Sequence, residues 1–500
     1  MFILLVLIGF SREIVSKGGS TIRHLSALLA GASYPLAFSP FGLWWMGLIS
    51  FIVFLYSVDV SSKRDIFIRY YIFAVGMYGT GVSWIFVSIN EFGGVPLLVA
   101  GGLISAFVLS YSLTSLIGAF LHVNVRDWLV AFPAIWVILE WFRSWFLTGF
   151  PWLFAGYSHL DSPLSSYIPL VGVYGLSLFT AVTAVLIYKL RSPKWPLNVL
   201  TLGLLWGGGA FIAGSVNWIS PTKNVVTVSA IQGNIDQHTK WLPSSAQTIT
   251  KTYLGMTEKE WGRDIIVWPE AAITVFRQDA NRLLKELDEQ GKAVGSTLLL
   301  GILDRSFDGK YFNSVLAIGE GSGVYHKQRL VPFGEYVPLE NYLRGIIEFF
   351  DLPMSRTKSG RNEQDLIVAG KYLVSVLICY EVVYPDLLER NSVVPDMLVT
   401  VSNDTWFGSS IGPKQHLQMA RMRAAEYGRW MIRSTNNGIT ALIDHNGVLV
   451  DKIEPFEESV MRGELRIMEG ETPYYYYGYW PLIFSCLIVV SVSIIRHRFL

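Results

Sequence analysis

The chain has 500 residues, 51% of them hydrophobic and 14% aromatic but only 16% charged, with a net charge of +1. That balance is too apolar for a water-soluble protein and points to a membrane; with no long run of lysines and arginines, it excludes nucleic acid as a partner class. The two cysteines, Cys379 and Cys486, cannot make a disulfide framework.

The chain opens on MFILLVLIGF, too short to span a bilayer and without a cleavage pattern after it, so it reads as an interfacial or frayed segment. From residue 24 to about 217, long apolar stretches alternate with short polar connectors. Seven spans are predicted there, starting near residues 24, 42, 68, 97, 127, 168 and 197. Glu140 and Arg143 lie three apart on one face at the end of the fifth, and read as a mutually neutralising pair ahead of a substrate contact. WGGGA, at 206–210, sits inside a span and reads as a site of close helix packing. An eighth span starts near residue 478, where WPLIFSCLIVVSVSII follows the aromatic belt YYYYGYW and precedes the basic end RHRFL.

Charge orients these spans. With the N-terminus inside, the inner connectors carry Arg12, Lys17 and Arg23, then Lys63 and Arg64, then Arg126, then Lys189, Arg191 and Lys194, and finally Arg496 and Arg498. The outer connectors SPFG and NEFGGVP have no lysine or arginine. By the positive-inside rule the polar stretch from 221 to 470 lies on the outer, non-cytoplasmic face.

In that stretch the period changes to that of strands. VVTVSAIQ, DIIVWPE, STLLLGIL, NSVLAIG, YLVSVLICY, DMLVTVSN and ITALIDHNGVLV are short β-branched runs, DHNG reads as a hairpin turn, and SAQTITKTYLGMTEKEWG and RLLKELDEQGKA read as helices. A mixed α/β domain follows, and sites in such sheets gather at the carboxyl ends of strands. Glu270 ends DIIVWPE, Lys327 follows SGVYH, and Cys379 ends YLVSVLIC. Each alone reads blandly, as a surface carboxylate, a solvated lysine and a packed thiol; the three together, each closing a strand, read as a site. YLRGIIEFFDLPMS carries Phe349, Phe350 and Leu352 among much apolar surface, and reads either as a buried helix and turn or as a lid dipping into the outer leaflet. His416 reads as a packed or capping residue, and the histidines form no metal-binding spacing, so neither metal nor cofactor is expected.

The order Glu, Lys, Cys in the contexts WPE, YHKQRLVPFGEYVP and ICYE resembles the nitrilase (carbon-nitrogen hydrolase) superfamily. With the spans and LTGFPW, FDLPMS, SNDTWFG, IGPKQHLQMARMRAAE and RSTNNGITA, nearly the whole chain resembles the apolipoprotein N-acyltransferase family of bacterial inner membranes. The apolar start MFILLVLIGF is the one departure. The resemblance implies a polytopic α-helical membrane bundle of about eight spans carrying an α/β, nitrilase-like αββα sandwich. Residues 1–219 are then the bundle, 220–472 a periplasmic catalytic domain, and 473–500 the last transmembrane helix with its tail. It implies Glu270 as general base, Lys327 as electrostatic stabiliser and Cys379 as nucleophile, with Glu335 positioning them and Trp241, Tyr380 and Glu381 needed for activity. The implied partners are a phospholipid acyl donor, a diacylglyceryl apolipoprotein acceptor and the lipid bilayer.

That chemistry suits the residues. A free cysteine is only a few per cent thiolate at neutral pH; a carboxylate in reach can take its proton, and an ammonium favours the anion. A thioester is reactive enough for an amine to displace, and water competes, so the site must be dry. A membrane-tethered amidase is the nearest rival; an inert outer domain on a transporter or scaffold is weaker, because the whole triad is in place.

Overall fold

The computed structural model describes residues 19–336, 357–388 and 393–499. The expected lid residues Phe349, Phe350 and Leu352, and the segment MFILLVLIGF, lie outside the described residues.

Apolar helices occupy Gly19–Ser33, Trp44–Val58, Lys63–Gly81, Leu97–Ser112, Trp128–Trp145, Ile168–Tyr188, Trp195–Ser215 and Trp480–Phe499, near each expected start. About eight spans were expected. Among the described residues five stretches are long and apolar enough to cross a membrane: 97–124, 128–148, 163–191, 195–212 and 480–499. A sixth counts if Lys63–Gly81 and Trp84–Phe92, bent by 53°, act as one. Trp44–Val58 has 15 residues. At about 1.5 Å per residue it falls short of a hydrocarbon core about 30 Å thick, a length that hydropathy alone does not report.

Glu140 and Arg143 are both buried, 3.9 Å apart. Glu140 also accepts from Trp136 Nε1 (2.8 Å) and Ala155 N (2.7 Å), while Arg143 donates to the Tyr78 hydroxyl. The bond from Ala155 N ties the 150–155 loop to the bundle. In WGGGA, a Cβ on Gly208 or Gly209 would meet the Tyr167 side chain at 2.5 or 2.8 Å, so the glycines let that ring lie on the helix.

The polar stretch builds two seven-stranded sheets face to face. The first runs Ser459–Gly470, Ile219–Gln232, Ile265–Val267, Thr297–Arg305, Tyr311–Gly319, Val324–His326, with Ile273–Phe276 paired to Thr297–Arg305. The second runs Leu449–Ile453, Thr440–Ile443, Met431–Thr435, Met397–Ser402, Tyr372–Ile378, Ile367–Ala369, Gly321–Ser322. The strands nearest the site are parallel, 219–232 with 265–267 and 297–305, and 372–378 with 397–402 and 431–435. Parallel strands are covered on both faces, which explains their unbroken apolar runs. Val228, Val267 and Leu299 from one sheet meet Val376, Val399 and Ile432 from the other in a core between them. Helices Ala246–Thr257 and Asn281–Val294 cover the outside of the first sheet, as Ile249, Tyr253, Leu284 and Leu287 pack on Ile266 and Leu298. DHNG is the expected turn, with Asp444 Oδ1 accepting from Val448 N at 2.8 Å.

Helix Gly412–Tyr427 covers the outside of the second sheet and is buried at almost every position. Its other side meets the membrane bundle: Glu426 Oε1 accepts from Val173 N (2.8 Å), where Ile168–Tyr188 breaks at Gly172 (φ 60°). Trp152 Nε1 donates to Gln415 Oε1 (2.7 Å), and Gln418 Nε2 to the Tyr157 carbonyl (2.9 Å). The apolar core is continuous from the bundle to the second sheet.

Gly301 lies where the first sheet passes under residue 270. A Cβ there would meet backbone atoms: Pro269 O at 2.2 Å, Ala271 N at 2.6 Å and Glu270 Cα at 2.8 Å. Gly301→Ala should therefore displace Glu270 and lower turnover by about a hundredfold, the usual cost of a misplacement near 1 Å, while circular dichroism stays that of the parent.

Candidate active site

Three strand ends converge. Glu270 lies in the turn after Ile265–Val267, Lys327 directly follows Val324–His326, and Cys379 directly follows Tyr372–Ile378. The first two come from one sheet and the cysteine from the other.

Lys327 is buried between two carboxylates. Its Nζ lies 3.3 Å from Glu270 Oε1, and 2.9 and 2.8 Å from Glu335 Oε1 and Oε2. Burial opposes its charge, but Glu335 and then Glu270 outweigh that and hold the ammonium well above the usual lysine range. Asn313 Nδ2 donates to both carboxylates, at 2.7 Å to Glu270 and 3.1 Å to Glu335. Glu270 Oε2 accepts from Asn403 N (2.8 Å), and Glu335 Oε2 from Val331 N (2.9 Å). Each carboxylate is thus oriented from both oxygens.

Cys379 opens a one-turn helix, Cys379–Val383, with φ +54°. That left-handed conformation is rare outside glycine and marks a sharp elbow at the strand end. Burial pushes its thiol well above the ordinary cysteine range, Glu270 adds to this, and Lys327 pulls the other way. The expectation that the ammonium favours the anion names a real attraction, but desolvation and the nearby carboxylate win. The thiol is thereby favoured over the thiolate.

The expected supporting residues have separate structural roles. Glu381 ties the cysteine elbow to the lysine loop: Oε2 accepts from Ile378 N (2.7 Å), Oε1 from Gln328 N (2.6 Å) and Arg329 N (3.1 Å), and both from the Tyr325 hydroxyl (3.1 Å). Burial pushes its carboxyl up to about 7 against these bonds. The Tyr380 hydroxyl donates to Gly149 O (3.3 Å), as does that of Tyr384 (3.1 Å), fastening the elbow to a membrane-side loop. Trp241 follows helix Gln237–Lys240; its indole N–H is buried without a partner among the described residues.

Sequence reasoning missed Lys240 and Asn313. Lys240 is buried, donates to Glu270 O (3.1 Å) and feels both Glu270 and Cys379; burial pushes it down to about 8 against those two. Asn313 ends no strand and fits no motif; only the strand pairing, in which its neighbour Ser314 lies opposite His326 and its own carbonyl accepts from Lys327 N at 2.8 Å, brings it beside Lys327. Among the described residues no His, Cys, Asp and Glu side chains group as metal ligands.

Residues 30–186 match the family model described as apolipoprotein N-acyltransferase N-terminal domain, and 227–472 match carbon-nitrogen hydrolase. The chain is 42% identical to an apolipoprotein N-acyltransferase of Pseudomonas syringae pv. tomato, over 95% of this chain and 97% of that one. The chain belongs to the apolipoprotein N-acyltransferase family. It is also 41% identical to the Azotobacter vinelandii enzyme of that name, over 95% of each chain, and 40% identical to that of Vibrio parahaemolyticus, over 92% of this chain and 95% of that one. A carbon-nitrogen hydrolase from Helicobacter pylori G27 superposes on 48% of this chain and 88% of its own, with a TM-score of 0.35 and 13% identity. The apolipoprotein N-acyltransferase family thus accounts for both halves of the chain: apolar helices followed by a carbon-nitrogen hydrolase sheet domain, in an acyltransferase of the membrane.

Glu381→Gln turns an amide NH₂ toward backbone N–H donors. It should cost roughly 1 to 3 kcal/mol of stability for the bonds left unmade, read by denaturant unfolding, and lower the acylation rate by separating Lys327 from Cys379.

Proposed function

We propose that this acyltransferase works through a thioester on Cys379, moving a fatty acyl chain from a phospholipid to the free α-amine of the diacylglyceryl-modified N-terminal cysteine of an apolipoprotein. The Cys379 sulfur attacks the ester carbonyl carbon while Glu270 takes the thiol proton. Lys327 Nζ and the Tyr380 N–H receive the oxyanion, each such donor being worth about 3 kcal/mol. The intermediate collapses, the C–O bond breaks, and Glu270 returns the proton to the lysophospholipid oxygen. The amine then attacks the thioester, Glu270 removes a proton from nitrogen, the C–S bond breaks, and Glu270 passes that proton to the sulfur, leaving amide and thiol. Glu335 and Asn313 keep Glu270 and Lys327 in register, and Glu381 and Trp241 support the site.

The observation that carries this reading is the buried cluster of one ammonium between two carboxylates beside a cysteine held as a thiol. A base that acts during attack suits a dry site, where a standing thiolate would be costly. Fastening the elbow to the membrane-side loop through Tyr380 and Tyr384 favours a lipid donor over the small amide of a tethered amidase. The charge asymmetry of the connectors supports a bacterial inner-membrane protein with residues 220–472 as a periplasmic catalytic domain, between a bundle over 1–219 and a last span over 473–500.

In detergent or vesicles, phospholipid with a labelled acyl chain should leave a hydroxylamine-labile label on Cys379, discharged to amide by a peptide bearing diacylglyceryl-cysteine. Cys379→Ala should take up none, and Lys327→Met should slow labelling about a hundredfold or more. No adduct on the parent, or lysophospholipid release that survives Cys379→Ala, would overturn the mechanism; hydrolysis of small amides in its place would favour the amidase.

The apolar composition of 342–354 supports a lipid-facing lid at Phe349, Phe350 and Leu352. Phe349→Ser with Phe350→Ser should cut acyl transfer at least about tenfold through KM for phospholipid, with thermal unfolding unchanged; parental kinetics would remove the lid.

A further inference from the structure

The Cys379 carbonyl has an unusual partner. His416, on helix Gly412–Tyr427, is buried, with Nε2 3.0 Å from Cys379 O. A carbonyl only accepts, so Nε2 carries the hydrogen and donates. On the other side of the ring, Nδ1 faces Asp404 Oδ1 and Arg433 Nη2, each at 3.1 Å. Asp404 is itself held by Arg433 (2.6 Å) and the Ser402 hydroxyl (2.5 Å), all of them buried. Trp152 stacks on the imidazole at 6.3 Å, and Phe407 meets it edge-on at 5.8 Å. The ring has little freedom to turn.

We infer that His416 is a positioning residue that builds the oxyanion site by holding the Cys379–Tyr380 peptide; this rests on the acyl-transfer reading above. A trans peptide is planar, so its C=O and N–H point in opposite directions. Fixing the carbonyl on His416 therefore aims the Tyr380 N–H away from helix Gly412–Tyr427. That helix covers the outer face of the second sheet, whereas Glu270 and Lys327 come from the first, so the N–H is turned toward the ammonium. As an early residue of the one-turn helix Cys379–Val383, Tyr380 has no intrahelical acceptor for it. The left-handed Cys379 (φ +54°) needs an external constraint to persist, and the His416 bond supplies one. Donation to the carbonyl also polarises the peptide and strengthens its N–H as a donor.

The test uses the full-length protein in detergent and compares His416→Gln, His416→Asn and His416→Leu. A Gln amide can place an N–H near the Nε2 position, an Asn amide only near Nδ1. Thioester formation from labelled phospholipid should fall about a hundredfold in H416L and H416N, the loss expected for an oxyanion donor, through rate and not KM. H416Q should stay within about tenfold of the parent. Alkylation of Cys379 by iodoacetamide builds no oxyanion and should stay within about threefold throughout. Parental thioester formation in H416L, H416Q no better than H416N, or alkylation falling in step with acylation would each overturn the assignment. If H416L fails to fold, the Gln and Asn pair decides, since both fill the site with an amide. A parent that forms no thioester would sink the acyl-transfer reading itself, and that result is read before any variant is made.

Discussion

One buried ammonium, shared by two carboxylates, is the constraint from which the rest of the site follows. Lys327 keeps its charge in a desolvated setting only because Glu335 and Glu270 are both in reach, and they tolerate each other only because the lysine and the Asn313 amide lie between them. The surplus negative charge helps hold Cys379 as a thiol. Glu270, Lys327 and Cys379 are thus electrostatically dependent on one another.

The same interdependence extends to the bilayer side. Helix Gly412–Tyr427 shows solvent little more than Lys414, because one side packs on the sheet and the other on Ile168–Tyr188 and the 150–159 loop. Tyr380, next to Cys379, donates to Gly149 O beside Tyr384, so the cysteine elbow shares a contact with the docking of the domain on the bundle.

Much of this was legible in the sequence, for a physical reason. Glu270, Lys327 and Cys379 each follow a strand, and strand runs announce themselves by β-branched composition, so the ends where chemistry gathers could be read directly. Asn313 and Lys240 were not legible, since one sits inside a strand and reaches the lysine through cross-strand pairing, and the other looks like a solvated lysine beside a tryptophan. His416 was read as packing because nothing local shows that its helix folds back onto the cysteine 37 positions earlier. Helix positions in the bundle followed from hydropathy, but lengths did not: Trp44–Val58 is apolar throughout yet short, and Lys63–Gly81 continues into Trp84–Phe92 across a bend.

The strand beginning at Ile219 and the one ending at Gly470 pair from Ile219↔Gly470 to Gln232↔Ser459, with a register shift between Pro221 and Val225, so the chain enters and leaves the two-sheet domain at neighbouring points. Topologically the domain is an enlarged connector between the apolar helices Trp195–Ser215 and Trp480–Phe499. A body joined at a single point can swivel in any direction; one joined at two neighbouring points keeps a single rocking axis through them. The seam along helix Gly412–Tyr427 removes that axis as well, leaving the Cys379 sulfur at a fixed height relative to the helices, so that any partner must come to it.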